Sequence, residues 1–310
     1  MNSEIIRIGT RNSKLALWQA DLISIELNRA GVETELVPME TKGDKIQNVS
    51  IAKIGSKGVF TEELESKLLS GEVDIAVHSA KDLQSDLGPK FQIIAFTERE
   101  LANDVLVSHK PELELVDDSD LTIGTSSTRR IAMLKRYYPK VQIVDMRGNL
   151  QTRISKMAEG RCDAMILAYA GIHRMNQDSL IREKLDLTKF TPAVGQGTIA
   201  VEAATSLNPK KTALVRQLIN HEPTESTLIA ERTFLKVLEG GCSIPVYGNA
   251  SLASSNIEMT GGIISLDGAK EVRISERMPE SKPEILGEVI ADKLLSQGGA
   301  KILQEIRNSL

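Results

Sequence analysis

Residues 8–16 read Ile-Gly-Thr-Arg-Asn-Ser-Lys-Leu-Ala, and residues 123–132 read Ile-Gly-Thr-Ser-Ser-Thr-Arg-Arg-Ile-Ala. Each stretch begins at the end of a short apolar run and then supplies Ser, Thr or Asn side chains that can cap a helix. We expect a buried strand before each cap and a helix after it, ended by Gly31 in the first copy and by Pro139 in the second. The repeated strand, cap and helix predict a duplicated α/β unit.

A second pair of similar segments follows in the same order. Residues 69–77 (Leu-Ser-Gly-Glu-Val-Asp-Ile-Ala-Val) resemble residues 158–166 (Ala-Glu-Gly-Arg-Cys-Asp-Ala-Met-Ile), and in both a helix ends at Gly and a strand begins near Asp. Further strand-like runs lie between the paired features, at residues 35–39 and 141–146. Because helices that alternate with short apolar strands form parallel sheets, we expect two α/β domains of this kind.

The pattern changes after about Asn220. A helix is expected to Leu238, followed by strand-like runs at residues 246–252, 257–266 and 271–276 and by two closing helices. Residues 266–269 (Leu-Asp-Gly-Ala) are a hairpin signal. The last part of the chain is therefore predicted to be α+β, with an antiparallel sheet.

Length and composition limit the classes of protein to consider. A chain of 310 residues with 41% hydrophobic and 26% charged residues is typical of a globular protein of two or three domains. Neither a signal peptide nor an apolar run of membrane-spanning length is visible, so we expect a cytoplasmic protein without membrane contact, whose two cysteines stay reduced. A net charge of −4 and 3% aromatic residues argue against nucleic-acid binding.

The charge is unevenly distributed. Residues 121–161 contain nine Lys or Arg against two acidic residues, which indicates a local anion site. In parallel sheets, ligands bind at the carboxyl ends of strands, where helix N-termini favour anions. The residues at both duplicated turns would converge on an anion if the two domains face one another: Arg11, Ser13, Thr125, Ser126, Ser127, Arg129 and Arg130. Arg147 and Arg153 add to this set, and several guanidinium groups favour a multiply charged carboxylate or phosphate. The alternative is that the hydroxyls only cap helices and the arginines are solvated.

Asp82 follows the predicted strand at residues 74–77, at the same end as Arg11. A carboxylate in that position can protonate a leaving group or stabilise a developing cation. The competing interpretation is an Asp that ends a strand and caps a turn. His78 is better interpreted as a satisfied structural histidine.

Cys242 lies in a Gly-Gly-Cys-Ser-Ile-Pro loop, where an exposed thiolate could act as a nucleophile, although an unreactive thiol is the more frequent case. Cys162, at a strand start, is expected in the core. The glycine-containing stretch at residues 41–58 is long enough to be a lid. Without a Walker loop, a GxGxxG or HExxH motif or a Cys/His cluster, nucleotide and metal sites have little support.

Taken together, these segments resemble the porphobilinogen deaminase family, also called hydroxymethylbilane synthases, from Ile6 to the C-terminal helix. The order and spacing of the motifs carry the resemblance, not any one of them. They are Arg-Ile-Gly-Thr-Arg-Asn-Ser-Lys-Leu-Ala-Leu-Trp-Gln-Ala at residues 7–20, Val-His-Ser-Ala-Lys-Asp at 77–82, Gly-Thr-Ser-Ser-Thr-Arg-Arg at 124–130, Arg-Gly-Asn-Leu-Gln-Thr-Arg at 147–153, Pro-Ala-Val-Gly-Gln-Gly at 192–197 and Glu-Gly-Gly-Cys at 239–242.

The resemblance implies an α/β fold with two domains like type II periplasmic binding proteins and a C-terminal α+β domain with a small antiparallel sheet. The expected domains are residues 1–98 with 198–217, residues 99–197, and residues 218–310. The chain would return to the first domain after Gly197.

The resemblance also implies a transferase of porphyrin and heme biosynthesis that acts as a monomer. Such enzymes join four porphobilinogen molecules head to tail with loss of ammonia, on a dipyrromethane primer held by a thioether to the loop cysteine, here Cys242. Water then releases hydroxymethylbilane. Asp82 matches the catalytic aspartate, and no metal is implied. The expected binding residues are Arg11, Ser13, Lys57, Ser79, Lys81, Thr125, Ser126, Ser127, Arg129, Arg130, Arg147, Gly148, Arg153, Arg174 and Gln196.

Ala80, Leu83 and Gln84 stand where the family commonly has Met, Val and Pro, and loss of the proline predicts a looser loop after Asp82.

A non-catalytic anion-binding protein of similar architecture is the alternative function, and it needs neither Asp82 nor Cys242.

Overall fold

The computed structural model describes residues 5–41, 61–241 and 243–309. Two compact units divide these residues between them. The first contains residues 5–41, 61–100 and 198–225, and the second contains residues 101–197 and the described residues from 226 onward. The lid predicted at residues 41–58 falls almost wholly outside the described residues.

Strands and α-helices are interspersed along the described residues up to residue 237. The strands are β1 (Ile6–Arg11), β2 (Thr34–Met39), β3 (Ile75–Ser79), β4 (Phe91–Phe96), β5 (Asp104–Val107), β6 (Thr122–Gly124), β7 (Gln142–Val144), β8 (Ala164–Ala168), β9 (Ile181–Lys184), β10 (Ile199–Ala204), β11 (Val246–Ala253), β12 (Asn256–Ile264) and β13 (Glu271–Pro279). The α-helices are α1 (Lys14–Arg29), α2 (Glu62–Ser70), α3 (Thr128–Tyr137), α4 (Leu150–Ala158), α5 (Tyr169–His173), α6 (Pro209–Ile219), α7 (Glu222–Val237), α8 (Pro283–Leu294) and α9 (Ala300–Arg307).

The first unit is built on a five-stranded sheet of order β2-β1-β3-β10-β4. β1 is parallel to β2 and β3, whereas β10 is antiparallel to β3 and β4. α1 packs on this sheet because its buried side chains, among them Ala20, Ile23 and Leu27, recur every three or four residues along one face. The helix ends before Gly31, whose φ of +80° agrees with the expected stop.

The second unit contains a sheet of the same design, with the order β7-β6-β8-β5-β9. β6 is parallel to β7 and β8, and β5 is antiparallel to β8 and β9. β6 and β8 therefore occupy the positions that β1 and β3 hold in the first sheet. The duplication predicted from the paired sequence segments is confirmed, but each sheet is mixed and not parallel throughout as expected.

The C-terminal part forms an antiparallel sheet of order β11-β12-β13, as predicted. Apolar side chains from α8 and α9, such as Ile290 and Ile302, pack against Ile257 and Ile263 of this sheet. The hairpin signal at residues 266–269 lies in the turn between β12 and β13. The α/β fold class with a small antiparallel sheet is thus confirmed.

The division into three domains stays a prediction, because the second α/β sheet and the antiparallel sheet belong to one unit. None of the helices in the described part of the chain is long and apolar enough to cross a membrane.

Candidate active site

In the first unit, the ends of β1 and β3 lie side by side because these strands are parallel neighbours. Arg11 ends β1, Ser79 ends β3, and Ser13 caps α1 by accepting a hydrogen bond from the Ala16 backbone N–H at 3.3 Å. The buried side chain of Gln19 donates from Nε2 to Ser79 Oγ at 2.9 Å. Gln19 was not predicted as a site residue, although a polar residue on the apolar face of α1 was the available signal.

Asp82 closes a single 3₁₀ turn, Ala80–Asp82, directly after β3. Ala80 and Leu83 on either side are buried, at 3% and 5% exposure, whereas Asp82 is exposed. The Ala80 backbone N–H donates to the Thr198 carbonyl at 2.9 Å, and Leu83 N–H donates to Ala80 O at 3.3 Å. The turn is therefore anchored on both sides and presents the Asp82 carboxyl group to solvent. Lys81 is partly buried on the same turn.

Gln84, which stands where the family commonly has proline, contacts the start of α2. Its Nε2 donates to Thr61 Oγ1 at 3.4 Å, and Thr61 is buried. A side-chain link is thus present in the segment that the missing proline predicted to be loose. Its mobility remains a prediction.

His78 lies in the core of the first unit. Its Nε2 is 3.0 Å from Glu202 Oε2, and the two side chains are 4% and 0% exposed. This burial agrees with the structural interpretation of His78. Glu202, on β10, was not singled out in the sequence because its partner is 124 residues away.

In the second unit, β6, β7 and β8 end at one edge of the sheet because they are parallel. Thr125, Ser126 and Ser127 follow β6, and Ser127 Oγ caps α3 by accepting from the Arg130 backbone N–H at 3.5 Å. Ser126 Oγ donates to Met146 O at 2.8 Å, which ties this turn to the one after β7.

Arg147 and Gly148 follow β7 at the same edge. Arg147 is partly buried, and its Nε donates to Asp145 at 2.7 Å. Gly148 has a φ of +112°, and a Cβ there would meet the Thr152 side chain at 2.8 Å, so glycine is required. Arg153 lies one turn into α4 and is partly buried.

Arg129 and Arg130 are buried beside Asp104, a residue that was not predicted from the sequence. Arg129 Nη1 lies 2.7 Å from Asp104 Oδ2, and Arg130 Nη2 lies 2.7 Å from Oδ1. Burial alone would raise the pKa of Asp104, but the two guanidinium groups outweigh it and hold that pKa well below its usual range. Two cations around one anion leave this cluster with a net positive charge.

Gln196 and Arg174 contact the segment before β10. Gln196 Nε2 donates to Asp104 Oδ1 at 2.9 Å and to Ala102 O at 2.7 Å. Arg174 Nη2 donates to Gly197 O at 2.7 Å. Both predicted binding residues therefore also have structural hydrogen bonds.

Two family models match the chain. The first is described as "Porphobilinogen deaminase, dipyromethane cofactor binding domain" and matches residues 6–211, and the second is the porphobilinogen deaminase C-terminal domain and matches residues 226–296. The porphobilinogen deaminase of Cytophaga hutchinsonii is 55% identical over 99% of this chain and 99% of its own. That of Desulfosudis oleivorans is 52% identical over 97% of this chain and 98% of its own.

The chain belongs to the porphobilinogen deaminase family. Among solved structures, the second substrate binding domain of a putative amino acid ABC transporter from Streptococcus pneumoniae Canada MDR_19A is similar over 69% of this chain and 91% of that chain. The identity is 14% and the TM-score 0.46.

Family membership makes the first matched segment a dipyrromethane cofactor-binding domain. The residues present fit such a group, because its side chains are carboxylates and the second unit offers guanidinium groups with a net positive charge, hydroxyls and helix N-termini at one sheet edge.

The structure describes only one of the two cysteines. Cys162 is buried against Gly124, and burial raises the pKa of its thiol to about 11, so it stays protonated at neutral pH. This agrees with the expected core position. Cys242 and Lys57 lie outside the described residues, so their predicted roles stay predictions.

Proposed function

We propose that the chain is a hydroxymethylbilane synthase in which Asp82 is the catalytic acid and Cys242 carries the dipyrromethane cofactor. It joins porphobilinogen units head to tail, loses ammonia at each addition and releases hydroxymethylbilane with water. The observation that carries this proposal is the family match over the whole chain, with 55% identity to a porphobilinogen deaminase.

The proposed role of Asp82 rests on its match to the family's catalytic aspartate and is supported by its exposure on an anchored turn. As the carbon–nitrogen bond of the substrate breaks, the nitrogen takes the bonding electrons and the carbon side becomes positive. An acid that protonates the nitrogen assists its departure as ammonia, and the resulting carboxylate stabilises the cation. Ala80 and Leu83, both buried, anchor the turn that carries this carboxyl group.

The proposed binding set neutralises the acetate and propionate groups of the pyrroles. Each added unit brings two more carboxylates, so the negative charge grows as the chain grows. When bound, the cofactor supplies the primer to which units are added. The residues proposed to hold it or the growing chain are Arg11, Ser13, Lys57, Ser79, Lys81, Thr125, Ser126, Ser127, Arg129, Arg130, Arg147, Gly148, Arg153, Arg174 and Gln196.

We further propose that the protein works as a monomer in the cytoplasm, with the three domains set out above. Light scattering of the purified protein tests the first point, since a mass near 33.9 kDa is expected and twice that mass would contradict it.

The test of the function is intact-mass spectrometry combined with an assay of ammonia release from porphobilinogen. Wild type is expected to carry an adduct of dipyrromethane size and to turn over. Cys242→Ala should lack both, whereas Cys162→Ala, which changes the buried and protonated thiol, should keep both. A wild-type protein that binds porphobilinogen but carries no adduct and releases no ammonia would support the non-catalytic alternative instead.

A further inference from the structure

A buried polar pair lies on the strands behind the turn that carries Asp82. His78 stands opposite Ala200 where β3 pairs with β10, and Glu202 stands two residues further along β10, so both side chains lie on one face of the sheet. His78 Nε2 is 3.0 Å from Glu202 Oε2, and neither side chain is more than 4% exposed. α2 covers this face, because its Leu64 packs in one cluster with alanines of both strands.

The carboxylate of Glu202 depends on this histidine. Within the part of the chain that the structure describes, neither oxygen of Glu202 accepts a hydrogen bond, and the contact with His78 is close but not aligned as one. A buried carboxylate without a cation beside it is strongly unfavourable, and so is a buried polar group left alone. Charge attraction, more than alignment, therefore holds the two side chains and their strands together.

Glu65 of α2 connects this pair to the loop that follows the 3₁₀ turn. It is partly buried and lies within electrostatic reach of both Glu202 and His78. Burial raises the pKa of Glu65, the Thr61 hydroxyl that donates to it opposes this rise, and the negative charge of Glu202 adds to it. Gln84 Nε2 donates in turn to Thr61 Oγ1 at 3.4 Å. We call these five residues the Glu202 network.

The network attaches the chain on both sides of Asp82. His78 lies four residues before Asp82, and Gln84 lies two residues after it. Between them, the Ala80 backbone N–H donates to the Thr198 carbonyl at 2.9 Å, which ties the start of the turn to the residue that precedes β10. The direction of the Asp82 carboxyl group is therefore linked to the positions of β10 and α2.

We infer that Glu202 and His78 are positioning residues for Asp82, and that the Glu202 network fixes both ends of the turn from which this carboxyl group acts. The inference rests on the proposed function, because it takes Asp82 to be the catalytic acid. It deepens that function by giving a part in the chemical step to two residues that are buried away from any substrate. A displaced acid transfers its proton more slowly, even when its own chemistry is unchanged.

Glu202→Gln tests this inference, because the amide keeps the shape of the side chain and removes its charge. Measured well below its Tm, this variant should lose about 10-fold or more in kcat for ammonia release. KM for porphobilinogen and the fraction of adduct-bearing chains should stay near those of wild type, because most of the proposed binding residues lie outside this turn. Glu271→Gln is the matched control, since it changes a buried carboxylate of the second unit, and it should lower the Tm but retain kcat.

The Asp82→Asn background separates positioning from any other effect. A residue that acts only through Asp82 has no acid left to position in that background, so Glu202→Gln should cause no further loss of kcat there. A second loss of about 10-fold in the double variant would mean that Glu202 affects turnover by another route, and the inference would be wrong.

The outcomes also separate this inference from the proposed function. A wild-type protein that releases no ammonia refutes the function, whereas an active wild type in which Glu202→Gln keeps full kcat, or changes only KM, refutes the positioning role alone. Should Glu202→Gln not fold, Glu65→Gln at the partly buried end of the network provides the same comparisons. Wild-type kcat in that second variant, or a failure of both variants to fold, would make the network purely structural and overturn the inference.

Discussion

Two aspartates of this chain have opposite surroundings. Asp82 is exposed on a turn that is anchored by buried neighbours, so a small molecule can reach its carboxyl group. Asp104 is wholly buried between two guanidinium groups, which keep it ionised. Environment, not residue type, therefore decides that only the first can exchange a proton with a substrate.

Asp82→Asn should retain the dipyrromethane-sized adduct and lose about 10²- to 10⁴-fold in kcat, because an amide cannot protonate the departing nitrogen. Ammonia release and intact mass measure the two effects separately. Asp86→Asn, which changes an exposed acid four residues later, is the matched control and should retain wild-type kcat. Equal rates in wild type and Asp82→Asn would remove Asp82 from the mechanism.

The lowered pKa of Asp104 also predicts a pH dependence of stability. A carboxyl group whose pKa is lower in the folded state adds stability above its unfolded pKa of about 4, and that stability is lost as the pH falls further. The advantage of wild type over Asp104→Asn in urea midpoint should therefore shrink progressively as the pH falls below about 4. Parallel pH curves for the two proteins would show that the ion pairs contribute nothing through the charge of Asp104.

The C-terminal end of α3 is in close contact with the turn between β12 and β13. The helix begins at its Ser127 cap, carries Arg129 and Arg130 in its first turn, and ends against the turn between β12 and β13. There, Arg136 Nη1 donates to Gly268 O at 3.1 Å. A Cβ on Gly268 would lie 2.6 Å from the Ala132 carbonyl oxygen, so the turn can approach the helix only with glycine at this position.

Gly268→Ala should therefore destabilise the protein more than Gly160→Ala. Both glycines have positive φ, at +76° and +83°, so alanine is strained by about 1 kcal/mol or more at either site. At Gly160 nothing lies within 4 Å of the added Cβ, whereas Gly268 meets backbone atoms. The difference in the free energy of unfolding, from urea titration, should be about 1–3 kcal/mol. Equal losses would mean that the turn moves away without cost.

The second α/β sheet and the antiparallel sheet share a hydrophobic core. Tyr247 and Ile264 pack in one cluster with Met133 and Phe190. Glu271 joins the two parts, since it accepts from Tyr247 Oη at 2.5 Å and lies 2.9 Å from Arg136 Nε. We therefore expect these two sheets to unfold together.

Glu271→Gln should lower the free energy of unfolding by about 1–3 kcal/mol, because it removes the charged acceptor from a largely buried network. The control is Glu276→Gln, whose partner Lys293 is about half exposed, and its effect should stay below about 1 kcal/mol. Hydrogen exchange should show both sheets opening with the same free energy. Separate opening of the antiparallel sheet would contradict a shared core.

Much of the fold was predictable because its signals are local. The caps at Ser13 and Ser127, the apolar spacing in α1 and the stops at glycine depend on neighbouring residues, and the structure has each of them where expected. The paired segments also predicted the duplication of the sheet. The order and spacing of the motifs also indicated the family, since they are read from the sequence alone.

By itself, the sequence determined the elements, their repetition and the residue types of the site: hydroxyls and arginines at strand ends, and Asp82 directly after β3. Only the tertiary structure decided which charges meet. Asp104 faces Arg129 and Arg130 because β5 runs antiparallel to β8, with Asp104 opposite Ala168, and Glu202 meets His78 because β10 pairs with β3. Such pairings join residues that are far apart in the chain, where no local pattern links them, and burial then makes a polar partner necessary.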